Sequence, residues 1–338
     1  MTTRKLLQTT FKYVIPVIIS VGLCYLLFTG IDFREMLRII REQCDFRWIA
    51  FAMIISVFSH VFRALRWDIQ LRALGVKAPL YALVYSIFGT YAVNLVFPRL
   101  GEVWRSGYIA RRQDTPFTTV FGSMVADRLA DTVTVLLLAL LTFALASGAI
   151  LDFLAANGES YAAIGRLLSS PWLWGAALVA AAALWWFMTR TYTSGPMFKI
   201  QNAIRELWQG FAVIITMRGK GQWLLWTVAL WGCYFLQNYI TFFAFPFTRE
   251  VLADHGITVA LVTFVISSVS MGVPSNGGIG PWQWAVIFAL GIYGVDATQA
   301  GAFANLVLGS QTLLLIALGI FTFAAIALDK KKTHKTHE

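Results

Sequence analysis

Apolar positions in this chain fall in long unbroken runs rather than alternating with polar ones. The runs cover residues 11–28, 48–61, 80–97, 117–150, 172–188, 223–245, 257–271, 282–293 and 302–328. A helix needs about 20 apolar residues to cross a bilayer, and soluble domains rarely hold several such runs. Strands of a membrane barrel would show a period of two, which these runs lack. The pattern predicts an all-α fold: a polytopic integral membrane helical bundle.

Two runs are interrupted in related ways. The first break lies at Asn94-Leu95-Val96-Phe97-Pro98-Arg99-Leu100-Gly101-Glu102, and the second at Ser270-Met271-Gly272-Val273-Pro274-Ser275-Asn276-Gly277-Gly278-Ile279-Gly280-Pro281. Each has a polar residue four before its proline (Asn94, Ser270) and a glycine three after it (Gly101, Gly277). The apolar stretch after the first break, 103–110, covers roughly 12 Å of a hydrocarbon core about 30 Å thick, so it cannot cross. The stretches flanking the second break are also short. Both breaks therefore read as re-entrant helical hairpins. Paired Gly/Pro-interrupted segments at matching places in two halves point to a transporter binding site. The alternative, ordinary loops between spanning helices, stays open.

Basic residues support this topology. They cluster at the N-terminus, after residue 61, at Arg111-Arg112, between Arg190 and Lys220, and in the tail. With each break a hairpin, all of these fall on the cytoplasmic side, as the positive-inside rule asks. The first half, about 8–150, then runs up, down, hairpin, up, and the second, about 171–328, has the opposite orientation. These are inverted-topology repeats in one transmembrane domain spanning 1–338. Full crossings at both breaks would leave the outer spans' orientation unchanged, so charge bias alone does not separate the two topologies.

Composition changes the picture mainly by exclusion. The net charge is +10, but its carriers sit between spans and no nucleic-acid motif accompanies them. Cys24, Cys44 and Cys233 are scattered, as are the four histidines, so neither a disulfide framework nor a metal or cofactor site is expected. Residues 197–218 show helical apolar spacing with Lys199, Arg205 and Glu206 off the stripe. This reads either as an interfacial amphipathic helix or as one packed on other cytoplasmic protein. The run at 11–28 follows Arg4, Lys5 and Lys12 and reads as a retained anchor rather than a cleaved signal.

Charges inside a membrane are functional candidates. Here they are Arg99, Glu102, Arg105, Asp127, Arg128 and Asp131. Asp127 and Asp131 share a helix face, and arginine suits bidentate recognition of phosphate. Arg99 and Arg105 are the expected headgroup contacts, with Glu102 and the Asp pair either orienting them or meeting a cationic substituent, and Asn94 at the tip. A purely structural salt-bridge network is the competing reading. The second break has no charge; Ser275, Asn276, Gly277, Gly278 and Gly280 could hold an anion through backbone N–H groups, or the glycines simply permit a tight turn. A transferase acting on a lipid phosphate, with Glu102 or Asp127 as base, and a non-transporting partner of a lipid synthase are the alternatives to a carrier.

Pro98-Arg99-x-Gly101-Glu102-x-x-Arg105, Asp127-Arg128-x-x-Asp131, Arg63-x-x-Arg66-Trp67 and Pro274-Ser275-x-Gly277-Gly278-Ile279-Gly280 together resemble the lysylphosphatidylglycerol synthase transmembrane family. This is the flippase-like domain of the bacterial multiple peptide resistance factor and of stand-alone membrane proteins, and the resemblance runs over about residues 8–328. It implies movement of an anionic or aminoacylated phospholipid between leaflets of the bacterial cytoplasmic (inner) membrane, with both termini cytoplasmic. Partners would be the bilayer, its phospholipid and, for assembly, a second copy in a homodimer. Two-domain synthases carry a soluble aminoacyl-transfer domain after the last span; here a short basic tail ends at Glu338, so synthesis of the aminoacyl lipid is not expected.

Overall fold

The computed structural model describes residues 32–156, 170–190, 195, 197, 201, 216–273 and 275–335. The expected anchor at 11–28 and most of the amphipathic stretch at 197–218 lie outside the described residues. Among the described residues all regular structure is helical.

Helix α1 (Phe33–Gln43) begins where the Asp32 carboxylate accepts from the Arg34 and Glu35 N–H groups, a standard N-cap. It lies in a segment that carries balanced charges and no apolar run. Its buried Met36 and Ile39, one turn apart, face the last helix. Helix α2 (Phe46–Ala73) follows, capped by Asp45. The apolar run predicted its start but not its end. The helix continues twelve residues past 61, through Arg63, Arg66 and Trp67, all buried. These arginines are not part of a basic loop. Their charges are neutralised by acids far along the chain, which no local window reveals.

Next come α3 (Leu80–Val96) and α4 (Leu100–Arg112), then the long α5 (Phe117–Ala156), kinked at Ala146. The second half holds α6 (Pro171–Thr189), α7 (Lys220–Thr241), a 3-10 turn at Phe242–Ala244, and α8 (Pro246–His255). It ends with α9 (Ile257–Ser270), α10 (Pro281–Gly291) and α11 (Ala297–Lys335). Pro246 starts α8 and the chain turns by 118° there, so the run at 223–245 does not continue straight. Among the described residues, three stretches are long and apolar enough to cross a membrane, Phe46–Ala73, Phe117–Gly148 and Ala297–Asp329, or four with the bent pair. This is a multi-pass helical membrane protein.

The two broken segments fold as helical hairpins, α3 on α4 and α9 on α10. Their limbs of 17, 13, 14 and 11 residues correspond to about 25, 20, 21 and 17 Å, all short of a 30 Å core. The hairpins point at each other. The open end of the first (Val76, Ala82, Leu83, Ile109, Ala110) packs into one apolar cluster with Trp67 and Leu71 at the end of α2. The open end of the second (Val259, Ala260, Val286, Leu290) packs into a separate cluster with Ile49 at the start of α2, with Phe242, Phe245 and Phe303. The tips meet between these clusters: the Arg99 guanidinium donates to the carbonyls of Gly272 (3.2 Å) and Met271 (3.4 Å). Neighbours are arranged in matching fashion. α4 packs on α5 as α10 does on α11, while α3 crosses to α11 as α9 crosses to α5, and α2 lies along α7.

Close backbone approach makes the first tip possible. A methyl group on Gly101 would overlap the Thr90 carbonyl and sit 2.8 Å from Asn94 Oδ1. Gly101 N–H donates to that same Oδ1 at 2.8 Å. Gly107, in the same helix, has nothing within 4 Å of such a methyl. Gly101→Ala should therefore destabilise the protein by about 1–3 kcal/mol through overpacking, whereas Gly107→Ala should be neutral or stabilising by up to about 1 kcal/mol. Thermal unfolding of the detergent-solubilised variants, side by side, checks the pair.

Candidate functional site

The charged residues of α2, α4 and α5 form one buried cluster beneath the first tip. Arg63 and Arg66 stand one turn apart on α2, and Asp127 and Asp131 one turn apart on α5, so two ladders of opposite charge face each other. Asp127 is fully buried. Its Oδ1 accepts from Arg66 Nη2 (2.6 Å) and Nε (2.9 Å), and its Oδ2 from Arg63 Nη1 (3.2 Å) and Arg105 Nη2 (3.4 Å). Asp131 receives Arg63 Nη1 and Arg66 Nη2, each at 2.8 Å. Such multidentate, charge-assisted contacts are what make buried charge tolerable in an apolar bundle.

The cluster extends in two directions. Tyr234 of α7 accepts from Arg63 Nε (3.4 Å) and Nη2 (3.3 Å), and its hydroxyl lies 3.5 Å from that of Tyr91 on α3. The second half of the chain thus reaches into a cluster built by the first. Toward the tip, Arg128 Nη2 donates to Glu102 Oε1 at 2.9 Å, and Asn94 Nδ2 donates to Glu102 Oε2 at 3.1 Å. Arg105 is fully buried, with its guanidinium 4.4 Å over the Trp67 ring, a cation–π contact. Trp67 is itself fixed by donating Nε1–H to Ser123 Oγ at 3.0 Å.

Four guanidinium groups (Arg63, Arg66, Arg105, Arg128) face three carboxylates (Glu102, Asp127, Asp131), leaving one positive charge in excess. The deficit of acceptors shows directly: Arg66 Nη1, Arg105 Nε and Nη1, and Arg128 Nε are buried without a hydrogen-bond partner among the described residues. Beside the cluster a pocket of about 280 Å³ opens between α4 and α5. Arg99, Glu102, Arg128 and Thr132 supply its polar lining; Val103, Phe121, Met124, Val125 and Leu129 supply the rest. Val103 and Leu129 are exposed, so the pocket gives onto the outer face of the bundle.

The candidate residues from the sequence thus separate into groups. Arg99, Glu102 and Arg128 line the pocket, and Arg105, Asp127 and Asp131 lie in the buried cluster behind it. Arg105, expected to face a headgroup, instead faces Trp67 and Asp127. Asn94 holds the tip through Gly101 and Glu102. Arg99 caps α4 in the left-handed region (φ 63°), a conformation that costs a non-glycine residue about 1–2 kcal/mol and that persists here beside its grip on the other tip. From the sequence the second break is open to two readings, an N–H cradle for an anion or a tight glycine turn. Gly280 N–H is occupied by Gln283 Oε1 at 3.0 Å. Gly277 lies against Leu95, and Gly278 against Met271 and Trp282. Gly277, Gly278 and Gly280 have φ of 63°, 90° and 92°, so the turn itself requires glycine. Asn276 Oδ1 is buried without a partner among the described residues, and Ser275 is half-buried.

Arg63, Arg66, Tyr91 and Tyr234 were not in the expected set. Arg63 and Arg66 had a readable signal: a pair of cations one turn apart at the end of an apolar run matches a pair of acids one turn apart in another. The two tyrosines had none.

This arrangement can be set beside known proteins. The family model described as the lysylphosphatidylglycerol synthase TM region matches residues 13–319. The chain belongs to that family. A curated relative, Glycosyltransferase AglD of Haloferax volcanii, is 30% identical over 159 residues, 47% of this chain and 24% of that protein. The chain thus spans about a quarter of the length of that relative. No solved structure matches. Family and relative together point to a membrane lipid-related function. In this member of the synthase TM region family, removing one buried partner leaves others uncompensated. Asp127→Ala should cost about 3–5 kcal/mol of stability. Arg38→Ala, which breaks only exposed pairs with Glu35 at 2.9 Å and Glu42 at 3.8 Å, should cost no more than about 1 kcal/mol. Thermal unfolding of the two purified variants tests the contrast.

Proposed function

We propose that this protein is a lipid transporter that moves an anionic or aminoacylated phospholipid between the leaflets of a bacterial cytoplasmic membrane. The observation that carries the reading is the pocket between α4 and α5: polar and charged at one end, apolar elsewhere, open to the outer face, and adjacent to a cluster with one positive charge in excess. An anionic headgroup with a phosphate fits the charged end, and its chains fit the apolar side. The four limbs too short to span, entering from opposite ends and meeting at their tips, support re-entrant hairpins in inverted repeats, about 8–150 and 171–328, with both termini on the cytoplasmic side. Irregular backbone at membrane depth is tolerated where protein surrounds it, and the tip-to-tip contact supplies that. The headgroup would pass where the two tips meet.

A second reading, a transferase acting on a lipid phosphate, takes support from the name of the glycosyltransferase relative. The geometry favours it less. Both oxygens of Asp127 are taken by guanidinium donors, and Glu102 is held on both oxygens by Arg128 and Asn94, so neither carboxylate is free to accept a substrate proton.

Proteoliposomes containing labelled phosphatidylglycerol separate these readings. Leaflet exchange, followed by chemical quenching of the outer-leaflet label, should be faster with the protein than in empty vesicles. Arg128→Ala and Glu102→Gln should each slow it by roughly tenfold or more, the effect of losing one charge-assisted hydrogen bond, with thermal unfolding confirming that the variants are folded. Exchange no faster than in empty vesicles would sink the transport reading. A lipid of altered mass that accumulates with the wild-type chain and not with Glu102→Gln would establish the transferase.

A further inference from the structure

A second cavity, of about 570 Å³, lies between α5, α9 and α10, and its lining, including Thr142, Val265, Val269, Val273, Pro281 and Trp284, is almost wholly apolar. Its volume is within the roughly 300–1,000 Å³ of small-molecule sites. It is continuous in two ways with the charged pocket. Phe121, Val125, Arg128 and Thr132 line the pocket, and Ala139, Thr142 and Phe143 line the cleft. At 100° per residue these positions fall on one face of α5, so pocket and cleft follow one stripe, about 22 Å from Arg128 to Phe143. The second link is Arg99. It lines the pocket and reaches across to the carbonyls of Met271 and Gly272, whose neighbours Ser270 and Val273 line the cleft. Arg99 stands where the two spaces meet.

We propose that this cleft holds one hydrocarbon chain of the phospholipid whose headgroup sits at Arg128 and Glu102, with Arg99 at the junction of head and chain; this rests on the headgroup reading above. Val269, Val273 and Trp284 at its mouth are exposed to the outer face. An apolar cleft open to that side admits hydrocarbon and offers water almost no hydrogen bonds. Bilayer chains are as apolar as the cleft walls, so no hydrophobic gain draws a chain in. Two terms hold it: packing against Val265, Pro281 and Trp284, and tethering to a bound headgroup, which raises the chain's local concentration at the cleft. The site therefore selects a two-part amphiphile, with an anionic head and a long flexible chain, over a free fatty chain or a compact anion.

The test uses the full chain in phosphatidylcholine nanodiscs doped with phosphatidylglycerol bearing a diazirine at the middle of one acyl chain. After irradiation, adducts are mapped by mass spectrometry. Cleft positions (Thr142, Val265, Trp284) should be labelled about fivefold more than Leu137 and Leu141, which point to the opposite, exposed face of α5. Val269→Trp and Val273→Trp, placed at the exposed mouth, should lower cleft labelling by roughly fivefold, the change expected when a chain segment loses its packing contacts, with the unfolding temperature unchanged. Equal labelling of cleft and outer face by the phosphatidylglycerol probe, or cleft labelling untouched by both Trp variants, overturns the chain site. A phosphatidylcholine probe with the same chain separates the two readings: if it labels the cleft as strongly as phosphatidylglycerol while the cleft preference persists, the chain site stands and selection by an anionic head fails.

Discussion

Asp127 is the group on which the rest of this bundle depends. Its carboxylate is fully buried and takes hydrogen bonds from arginines on two other helices, Arg63 and Arg66 of α2 and Arg105 of α4. In hydrocarbon a lone charge is strongly disfavoured, so each of these residues is tolerable only while the others stay in place. The network therefore fixes α2, α4 and α5 against one another more firmly than apolar contact can, since lipid competes equally for apolar surface. Its position also sets the height of α4, and with it the height of the first tip. Arg105 carries this furthest: stacked on Trp67, which is pinned to Ser123, it ties the middle of α4 to the two long helices.

With α4 fixed, the tip contact follows from reach and space. Asn94 closes the turn by accepting from Gly101 and donating to Glu102, and only a glycine at 101 lets α3 and α4 approach this closely. Gly277 seats the second tip against Leu95 for the same reason. Polar side chains elsewhere hold the long helices together. Gln311 of α11 bridges Ser56 of α2 (3.1 Å) and Gln237 of α7 (2.9 Å), at the level between the two apolar end clusters. The bundle is thus apolar at both ends and polar through its middle, the reverse of a soluble core.

Much of this architecture can be read from the chain because membrane helices are written as runs. The starts and types of α2, α3, α5, α9 and α11 follow from apolar stretches, and both breaks follow from Pro98, Gly101 and the glycines at 277, 278 and 280. What could not be read locally is whatever depends on a distant partner. Arg63 and Arg66 look like a cytoplasmic flank until Asp127 and Asp131 are placed opposite them. Arg105 looks free until Trp67 is beneath it. Gly280 looks like an anion cradle until Gln283 takes its N–H. Helices α1 and α8 escaped for a different reason: each is short and rich in charge, so neither produces a run, and their signals are the cap at Asp32 and the proline at 246. The symmetric-looking motif pair also concealed an asymmetry, since the first tip stands beside the charged cluster and the second supplies carbonyls, glycine turns and an apolar wall.

That asymmetry bears on how such a site can work. Glu102 is shared: one oxygen belongs to Arg128 of the pocket and the other to Asn94 of the tip. A headgroup phosphate at Arg128 competes for the same guanidinium that holds Glu102, so occupancy of the pocket and the clamping of the first turn are one electrostatic balance rather than two. The single excess positive charge sets the direction of that balance. With four cations and three anions, an anion arriving in the pocket completes the count, and Arg128, which lines the pocket and has a buried Nε without a hydrogen-bond partner among the described residues, stands nearest to it. An arriving cation would do the opposite. On the proposed transport reading an aminoacylated phosphatidylglycerol stays compatible, because its phosphate can sit at Arg128 while its N–H-bearing ammonium donates to Glu102, a contact that the quaternary ammonium of phosphatidylcholine lacks. The Arg99 bridge, strained in φ and reaching the carbonyls of Met271 and Gly272, joins the two tips beside the pocket that the transport reading assigns to the headgroup.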